Sequence, residues 1–281
     1  MTAPRDPRVF PHDSEREVEV RERLARLLAD APIAPIDLLD NLTLFMRRQQ
    51  LADLLSMDAL YRMVLDVPGV IMEFGVRYGR HVGELVALRG VYEPYNPFRR
   101  VVGFDTFTGF PDVHDVDRVS ASAVPRRFAL PEGYPDYLRE VLDAHQAHEY
   151  MSHIADRAVL VEGDVRETLP RYLEENPHTV IALAFFDLDI YAPTRATLEA
   201  IRPYLTAGSV LAFDEIDHPK WPGENVALRE TLGLDGAELR LLPGRAAPAY
   251  LRWPAGAAGS GAGRHLEADR RNGRRSGLEA G

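Results

Sequence analysis

The sequence has no cysteine, no long apolar run and comparatively few basic residues. The absence of cysteine from its 281 residues excludes disulfides, thiolate catalysis and cysteine-ligated zinc or iron. No apolar segment approaches the roughly 20 residues that cross a membrane, and the N-terminus carries no apolar core of the signal-peptide kind. We therefore expect a cytoplasmic protein that binds no membrane.

Acidic residues outnumber basic ones, 43 Asp and Glu against 33 Lys and Arg, which gives a net charge of −10. A negative surface disfavours nonspecific binding to nucleic acid. Hydrophobic residues make up 46% of the chain, enough for a substantial core. We therefore expect one large globular domain with additions, and no nucleic-acid partner.

The chain divides into three regions. Residues 1–66 predict a polar arm, a helix over 14–30 and a second helical region over 38–66, and their excess of Leu and Met predicts an oligomer contact or substrate cap. Residues 67–253 alternate strands with helices, which predicts an α/β fold with a mostly parallel sheet. Residues 254–281 are rich in Gly, Ala and then Arg, and we expect them to be disordered.

The alternating region predicts seven strands. The strands cover 70–74, 100–104, 159–161, 180–186, 209–213, 237–242 and 249–253, and the helices cover 79–89, 165–175, 192–205 and 223–232. The last two strands flank Pro243-Gly244 and predict a C-terminal antiparallel hairpin. Residues 106–156 are too long for a simple crossover and include a predicted helix over 136–153. We interpret this insertion as a substrate cap, the alternative being a passive surface excursion.

Two apolar runs end abruptly in carboxylates. Phe185-Phe186 is followed by Asp187 and Asp189, and 27 residues later (187 to 214) Phe213 is followed by Asp214 and Glu215. Parallel sheets hold ligands beyond the carboxyl ends of their strands. Four acids placed there repel one another unless a cation or a proton lies among them. This pattern predicts an enzyme site with a hard divalent metal.

The first strand leads through Glu73, Gly75 and Gly79 into a helix, a spacing that matches neither the dinucleotide fingerprint nor a P-loop. Asp105 ends the second strand, where a carboxylate can accept hydrogen bonds from ribose hydroxyls. Asp164 follows the third strand, where its carboxylate can accept a hydrogen bond from an adenine amino group. Glu73 would repel a pyrophosphate, which disfavours NAD. These acids predict S-adenosylmethionine, the alternative being glycines that serve only a turn.

Four segments carry a family resemblance. They are Glu73–Gly79, Gly103–Pro111, Asp187–Thr194 and Phe213–Glu215, and they resemble the macrocin O-methyltransferase family over residues 38–253. The resemblance implies a Rossmann-like class I methyltransferase fold. It also implies S-adenosylmethionine and Mg²⁺ as cofactors, and methylation of a deoxysugar hydroxyl in antibiotic biosynthesis.

The resemblance also implies residue roles. Asp187, Asp214 and Glu215 would hold the metal, Asp189 would be the catalytic base, and His218 would be a competing base. The implied cofactor-binding residues are Glu73, Gly75, Tyr78, Gly79, Asp105, Thr106, Asp164 and Asp187. Two alternatives remain, because Asp189 can instead cap the following helix and His218 can be a loop hydrogen-bonder.

The substrate prediction depends on fewer residues. Asp214-Glu215 stands where much of the family has Asp-Asp. The Asp-Glu pair is closer to the branch of the family that acts on nucleotide-activated sugars. Arg47-Arg48 and Arg126-Arg127 are candidate phosphate clamps, the alternatives being solvated helix faces or oligomer contacts. His145 and His148 are spaced as a metal pair but have no evident third ligand. Other functions stay open: a catechol, polyketide or peptide hydroxyl as acceptor, or a noncatalytic subunit that binds an adenosine ligand.

Overall fold

A computed structural model describes residues 14–154, 156–235, 237–244 and 247–254. The predicted arm over 1–13 and the tail from 255 onward lie outside these residues. Contacts divide the chain into two units, residues 1–53 and 54–281. Within the described residues, no helix is long and apolar enough to cross a membrane.

The first unit is helical, with α1 (Glu15–Ala29), α2 (Pro35–Asp40), a 3-10 turn and the start of α3 (Arg48–Arg62). The predicted second helical region over 38–66 thus consists of separate elements, with a break near Asn41. The Nδ2 group of Asn41 donates a hydrogen bond to the Asp37 carbonyl at 2.8 Å, and α2 ends there. An amide side chain that binds the backbone in this way competes with helix propagation. The predicted oligomer contact stays a prediction.

The second unit contains the end of α3, seven strands and five further helices among its described residues. In chain order these elements are β1 (Val70–Phe74), α4 (Arg80–Tyr92), β2 (Val101–Asp105), α5 (Tyr134–His148), β3 (Ala158–Glu162), α6 (Val165–Glu175), β4 (Ile181–Phe186), α7 (Tyr191–Ile201), β5 (Leu205–Phe213), α8 (Gly223–Thr231), β6 (Arg240–Leu241) and β7 (Ala249–Arg252). Helix α7 ends before the predicted residue 205 because Pro203 lies in a 3-10 turn, and β5 begins directly after that turn.

The sheet has the order β3-β2-β1-β4-β5-β7-β6. Strands β1 to β5 pair in parallel, and β7 is antiparallel to both β5 and β6. The predicted fold, a mostly parallel seven-stranded sheet with a C-terminal antiparallel hairpin, is confirmed. Because strand order reverses at β1, the carboxyl ends of β1 and β4 form the crevice where such sheets bind ligands.

Apolar side chains cover both faces of the sheet. One cluster joins Met57, Leu60 and Val82 to strand residues such as Ile71 and Phe185. The other joins residues of α6, α7 and α8 to the opposite strand faces. The unit is therefore a helix–sheet–helix sandwich whose strands are buried on both sides, as parallel strands require.

Four phenylalanines form a continuous row across the second face of the sheet. Phe104, Phe74, Phe186 and Phe213 are paired in register on adjacent strands, with neighbouring ring centroids 5.3, 5.3 and 4.7 Å apart. The next residue after each phenylalanine therefore lies in one row at the carboxyl edge of the sheet. Those residues are Asp105, Gly75, Asp187 and Asp214.

Candidate active site

The turn after β1 places backbone directly against the turn after β4. Gly75 has φ +97°, and a Cβ there would collide with the carbonyl oxygen of Asp187. Gly79 has φ +82° and occupies the N-cap position of α4. Glycine is thus required at both predicted positions by geometry. Tyr78, between them, is 39% exposed and packs edge-on against Tyr134.

Glu73 is buried beneath this turn. It is 1% exposed, and its nearest charged partner is His81, whose Nδ1 lies 3.4 Å from Oε1. Burial raises the pKa of Glu73. Burial alone would lower the pKa of His81, but Glu73 and then Asp187 raise it to about 9. His81 therefore lies between Glu73, which is predicted to contact the cofactor, and Asp187, the first acid after β4.

Asp105 fixes the loops that follow β1 and β2. Its carboxylate accepts the backbone N–H of Arg77 at 2.7 Å and of Phe107 at 2.6 Å. Thr106, also predicted to bind cofactor, donates its hydroxyl to the Gly109 carbonyl at 2.8 Å. Both predicted residues thus shape the loop, and their contacts with a cofactor stay predictions.

Asp164 is the N-cap of α6 and already has strong partners. Its carboxylate accepts the backbone N–H of Arg166 at 3.0 Å and pairs with the Arg166 guanidinium at 2.5 Å. Burial would raise the pKa of Asp164, but these hydrogen bonds bring it below its ordinary value. The predicted adenine contact stays a prediction, and it would use an acceptor that is already held in place.

The acids after β4 and β5 crowd together. Burial and then the charge of Asp214 raise the pKa of Asp187 to about 8 and that of Glu215 to about 7. Burial and the charge of Asp187 raise the pKa of Asp189 well above its ordinary value. Asp189 lowers the pKa of Glu215 in part, against the larger effects of burial and Asp214. The structure therefore brings together the four acids that the strand ends predicted.

Asp189 is not a helix cap. The N-cap position of α7 is Ile190, and the first N–H of the helix, that of Tyr191, donates to Asp117 at 3.0 Å. Asp189 has φ +61°, a conformation that residues other than glycine rarely adopt. The capping role that was the alternative for Asp189 is thus taken by another residue.

Glu224 is a candidate site residue that the sequence did not indicate. It is fully buried, and its two oxygens accept the backbone N–H of Leu188 at 3.1 Å and of Glu215 at 3.2 Å. One side chain on α8 therefore joins the two acidic loops. The preceding residue, Gly223, packs so closely that a Cβ would meet Asp117 and the Tyr191 nitrogen. The pairing spans 36 positions, so no local pattern could have indicated it.

His218 lies at the edge of the acidic group. Its Nδ1 is 3.4 Å from Oε2 of Glu215, and the ring is partly exposed. It is therefore close enough to exchange a proton with the acids, and its role as the competing base stays a prediction. His145 and His148 lie in the last turn of α5.

The acids suit a divalent cation in their chemistry. They supply hard oxygen donors, and their mutual repulsion is relieved by a positive ion. Among the described residues, however, no three His, Asp or Glu side chains converge as a metal site. A bound cation is thus a proposal supported by donor chemistry and repulsion, and not by ligand geometry.

Comparisons with known proteins identify the family of this chain. Residues 72–216 match a family model described as a methyltransferase domain. A crystal structure of CalS11, a calicheamicin methyltransferase, is 68% identical with a TM-score of 0.85, covering 90% of this chain and 98% of that chain. The apo structure of CalS11, described as a TDP-rhamnose 3′-O-methyltransferase, is 64% identical with a TM-score of 0.77, covering 89% and 99%.

A more distant structure shows the fold alone. The O-methyltransferase NovP is 20% identical with a TM-score of 0.53, covering 72% of this chain and 79% of that one. No curated protein sequence matched the chain at the similarity required. From the family model and from CalS11, we conclude that the chain belongs to the S-adenosylmethionine-dependent methyltransferase family.

Proposed function

We propose that this enzyme transfers a methyl group from S-adenosylmethionine to a hydroxyl of a TDP-linked deoxysugar in natural-product biosynthesis, with Mg²⁺ as a second cofactor. The observation that carries the proposal is the 68% identity to CalS11 over 90% of the chain. CalS11 is described as a TDP-rhamnose 3′-O-methyltransferase. The buried acids described above supply the chemistry that such a reaction needs.

The cofactor would occupy the half of the crevice formed by β1, β2 and β3. Gly75 allows close approach, and Asp105 supplies oxygens at the end of β2. Glu73 supplies a buried carboxylate for the cationic end of the cofactor. A sulfonium cofactor suits this acidic crevice, whereas a pyrophosphate would be repelled.

The acceptor hydroxyl must lose its proton as the methyl group arrives. Asp189 is the proposed base, because it lies among the acids at the sheet edge and burial and the charge of Asp187 raise its pKa, which makes its carboxylate a stronger proton acceptor. Asp187, Asp214 and Glu215 would hold the cation. When bound, the cation would lower the pKa of sugar hydroxyls and orient them. His218, beside Glu215, is the second candidate for receiving the proton.

Membership of an enzyme family removes support for a noncatalytic binding subunit.

The test of the acceptor is methyl transfer from isotopically labelled S-adenosylmethionine, followed by mass spectrometry. The panel contains TDP-rhamnose, other TDP-deoxysugars, free rhamnose, a rhamnoside and a catechol, each with Mg²⁺ or with EDTA. We expect transfer to a TDP-deoxysugar that EDTA suppresses. Transfer to the catechol alone would contradict the proposal, and undiminished transfer in EDTA would contradict the metal.

A further inference from the structure

A group of aromatic and arginine side chains is assembled from three segments that are far apart in the sequence. We name it the aromatic–arginine cluster, and it consists of Arg77, Phe110, Arg127, Phe128 and Trp221. Its three rings contact one another, with centroids 5.5 to 6.3 Å apart. The turn after β1, the insertion after β2 and the loop after β5 each contribute at least one side chain.

Two guanidinium groups flank one ring of the cluster. The Arg77 guanidinium lies 4.4 Å from the Phe128 centroid, and that of Arg127 lies 5.1 Å from it. No carboxylate in the described part of the chain forms an ion pair with either group, whereas Arg139 and Arg166 each pair with two acids. Asp105 attracts Arg77 only at longer range. In a protein of net charge −10, two guanidinium groups on one ring without a close carboxylate favour an anionic ligand.

Backbone contacts attach the cluster to both halves of the site. The Arg77 N–H donates to Asp105 at the cofactor half. Phe110 and Arg127 pair through a 3.1 Å backbone hydrogen bond. The Trp221 N–H donates to the His218 carbonyl at 3.2 Å, and His218 lies beside Glu215. A ligand on the cluster would therefore have the acids within reach of its attached groups.

This combination matches one part of the proposed substrate. Planar bases stack on aromatic rings, and guanidinium forks bind phosphate oxygens in pairs. A sugar alone offers neither a base nor a phosphate. Resting on the proposed function, we propose that the aromatic–arginine cluster binds the nucleoside diphosphate of a nucleotide-sugar, with the sugar extending toward the acids.

The test is calorimetry with thymidine diphosphate as the probe, using the full chain saturated with S-adenosylhomocysteine. Trp221→Ala and Arg127→Ala should each weaken binding of the diphosphate about fivefold or more, since stacking on one aromatic ring and one charge-assisted hydrogen bond are each worth at least that factor. Affinity for S-adenosylhomocysteine should stay within about twofold. Arg171→Ala, at an exposed arginine on α6, is the matched control and should change neither affinity.

Conservative variants separate ligand contact from packing. Trp221→Phe keeps a stacking face and should recover most of the affinity, whereas Arg127→Lys keeps the charge but loses the fork and should recover less. With a TDP-deoxysugar, all four variants should raise KM more than they lower kcat. If Trp221→Ala instead weakened both ligands equally, the ring would serve only packing and the inference would be wrong.

The outcomes also separate this inference from the proposed function. Wild-type protein that methylates a glycoside but does not bind thymidine diphosphate would overturn the inference and leave the methyltransferase activity intact. If the wild type binds the diphosphate and every variant binds it with the same affinity, the nucleotide binds elsewhere and the inference is wrong. Absence of methyl transfer to every acceptor, with normal diphosphate binding that the variants weaken, would overturn the proposed function alone.

Discussion

The proposed cofactor half of the sheet's carboxyl edge, at β1 to β3, and the proposed acceptor half, at β4 and β5, provide different partners for their acids. Asp105 and Asp164 in the cofactor half accept backbone N–H groups, and Asp164 also pairs with Arg166. In the acceptor half, burial and the charge of Asp214 raise the pKa of Asp187 to about 8. The cofactor half is thus prepared in the free protein, whereas the acceptor half is completed only by a cation or a proton.

The largest expected effect is in the acceptor half. Asp214→Asn removes a proposed metal ligand and should lower turnover about 10³-fold, within the range for loss of acid–base or metal chemistry. Affinity for S-adenosylhomocysteine by calorimetry should change little. Retention of full turnover would show that the acids of β5 hold no catalytic metal.

Glu224→Gln tests whether the two acidic loops depend on one buried side chain. The amide keeps one acceptor oxygen but turns a donor group toward the second backbone N–H, an arrangement that costs about 1–3 kcal/mol. We expect turnover to fall about 10- to 100-fold, and Mn²⁺ binding followed by electron paramagnetic resonance to weaken. Glu167→Gln, at an exposed position of α6, is the control, and an equal loss there would contradict the role of Glu224.

Asp105→Asn tests the prepared half. Its side-chain NH₂ would face the N–H of Arg77 or of Phe107, so the loops on both sides would shift. Affinity for S-adenosylhomocysteine should fall about tenfold by calorimetry, while kcat at saturating cofactor stays closer to that of the wild type. A pure loss of kcat would remove the distinction between the two halves.

The smallest expected effect is in the pH dependence of stability without metal. Asp187 holds a proton in the folded protein up to about pH 8 but releases it near 3.8 when unfolded, so its contribution to stability falls as pH rises between those values. Asp164 has a lowered pKa, so its contribution is present above 3.8 and is lost as pH falls through the lower folded value.

Thermal unfolding in EDTA measures the two contributions separately. Asp187→Asn should reduce the decline in melting temperature between pH 4.5 and 8, and Asp164→Asn should reduce the loss in acid. Added Mg²⁺ should raise the melting temperature most at high pH, because the acids are then ionised. If the melting temperatures of both variants and the wild type changed equally with pH, neither Asp187 nor Asp164 would be a source of the pH dependence.

Much of the site was predictable because it lies at the ends of regular elements. The run Val180 to Phe186 indicates a buried strand, and the acids after it can only fall at the sheet edge. Helix α6 begins and ends at the predicted residues 165 and 175, since Asp164 is a good N-cap.

The remainder depends on tertiary contacts that have no local signal. Glu224 contacts Leu188 across 36 positions, and Asp117 contacts Tyr191 across 74. The break near Asn41 depends on one side-chain hydrogen bond that outweighs the helical periodicity of the surrounding leucines. Trp221 and Phe128 meet only after the insertion and the loop following β5 have both folded.

The row of four phenylalanines has a consequence for engineering. Each ring is followed by Asp or Gly, so a slip that brought the following residue into the place of the ring would put a carboxylate or a glycine into the core. We therefore expect such a slip to be disfavoured during folding, before any ligand binds. Loops that begin after the row can be exchanged between related enzymes as cassettes, because their starting point is already set by the rings beneath them.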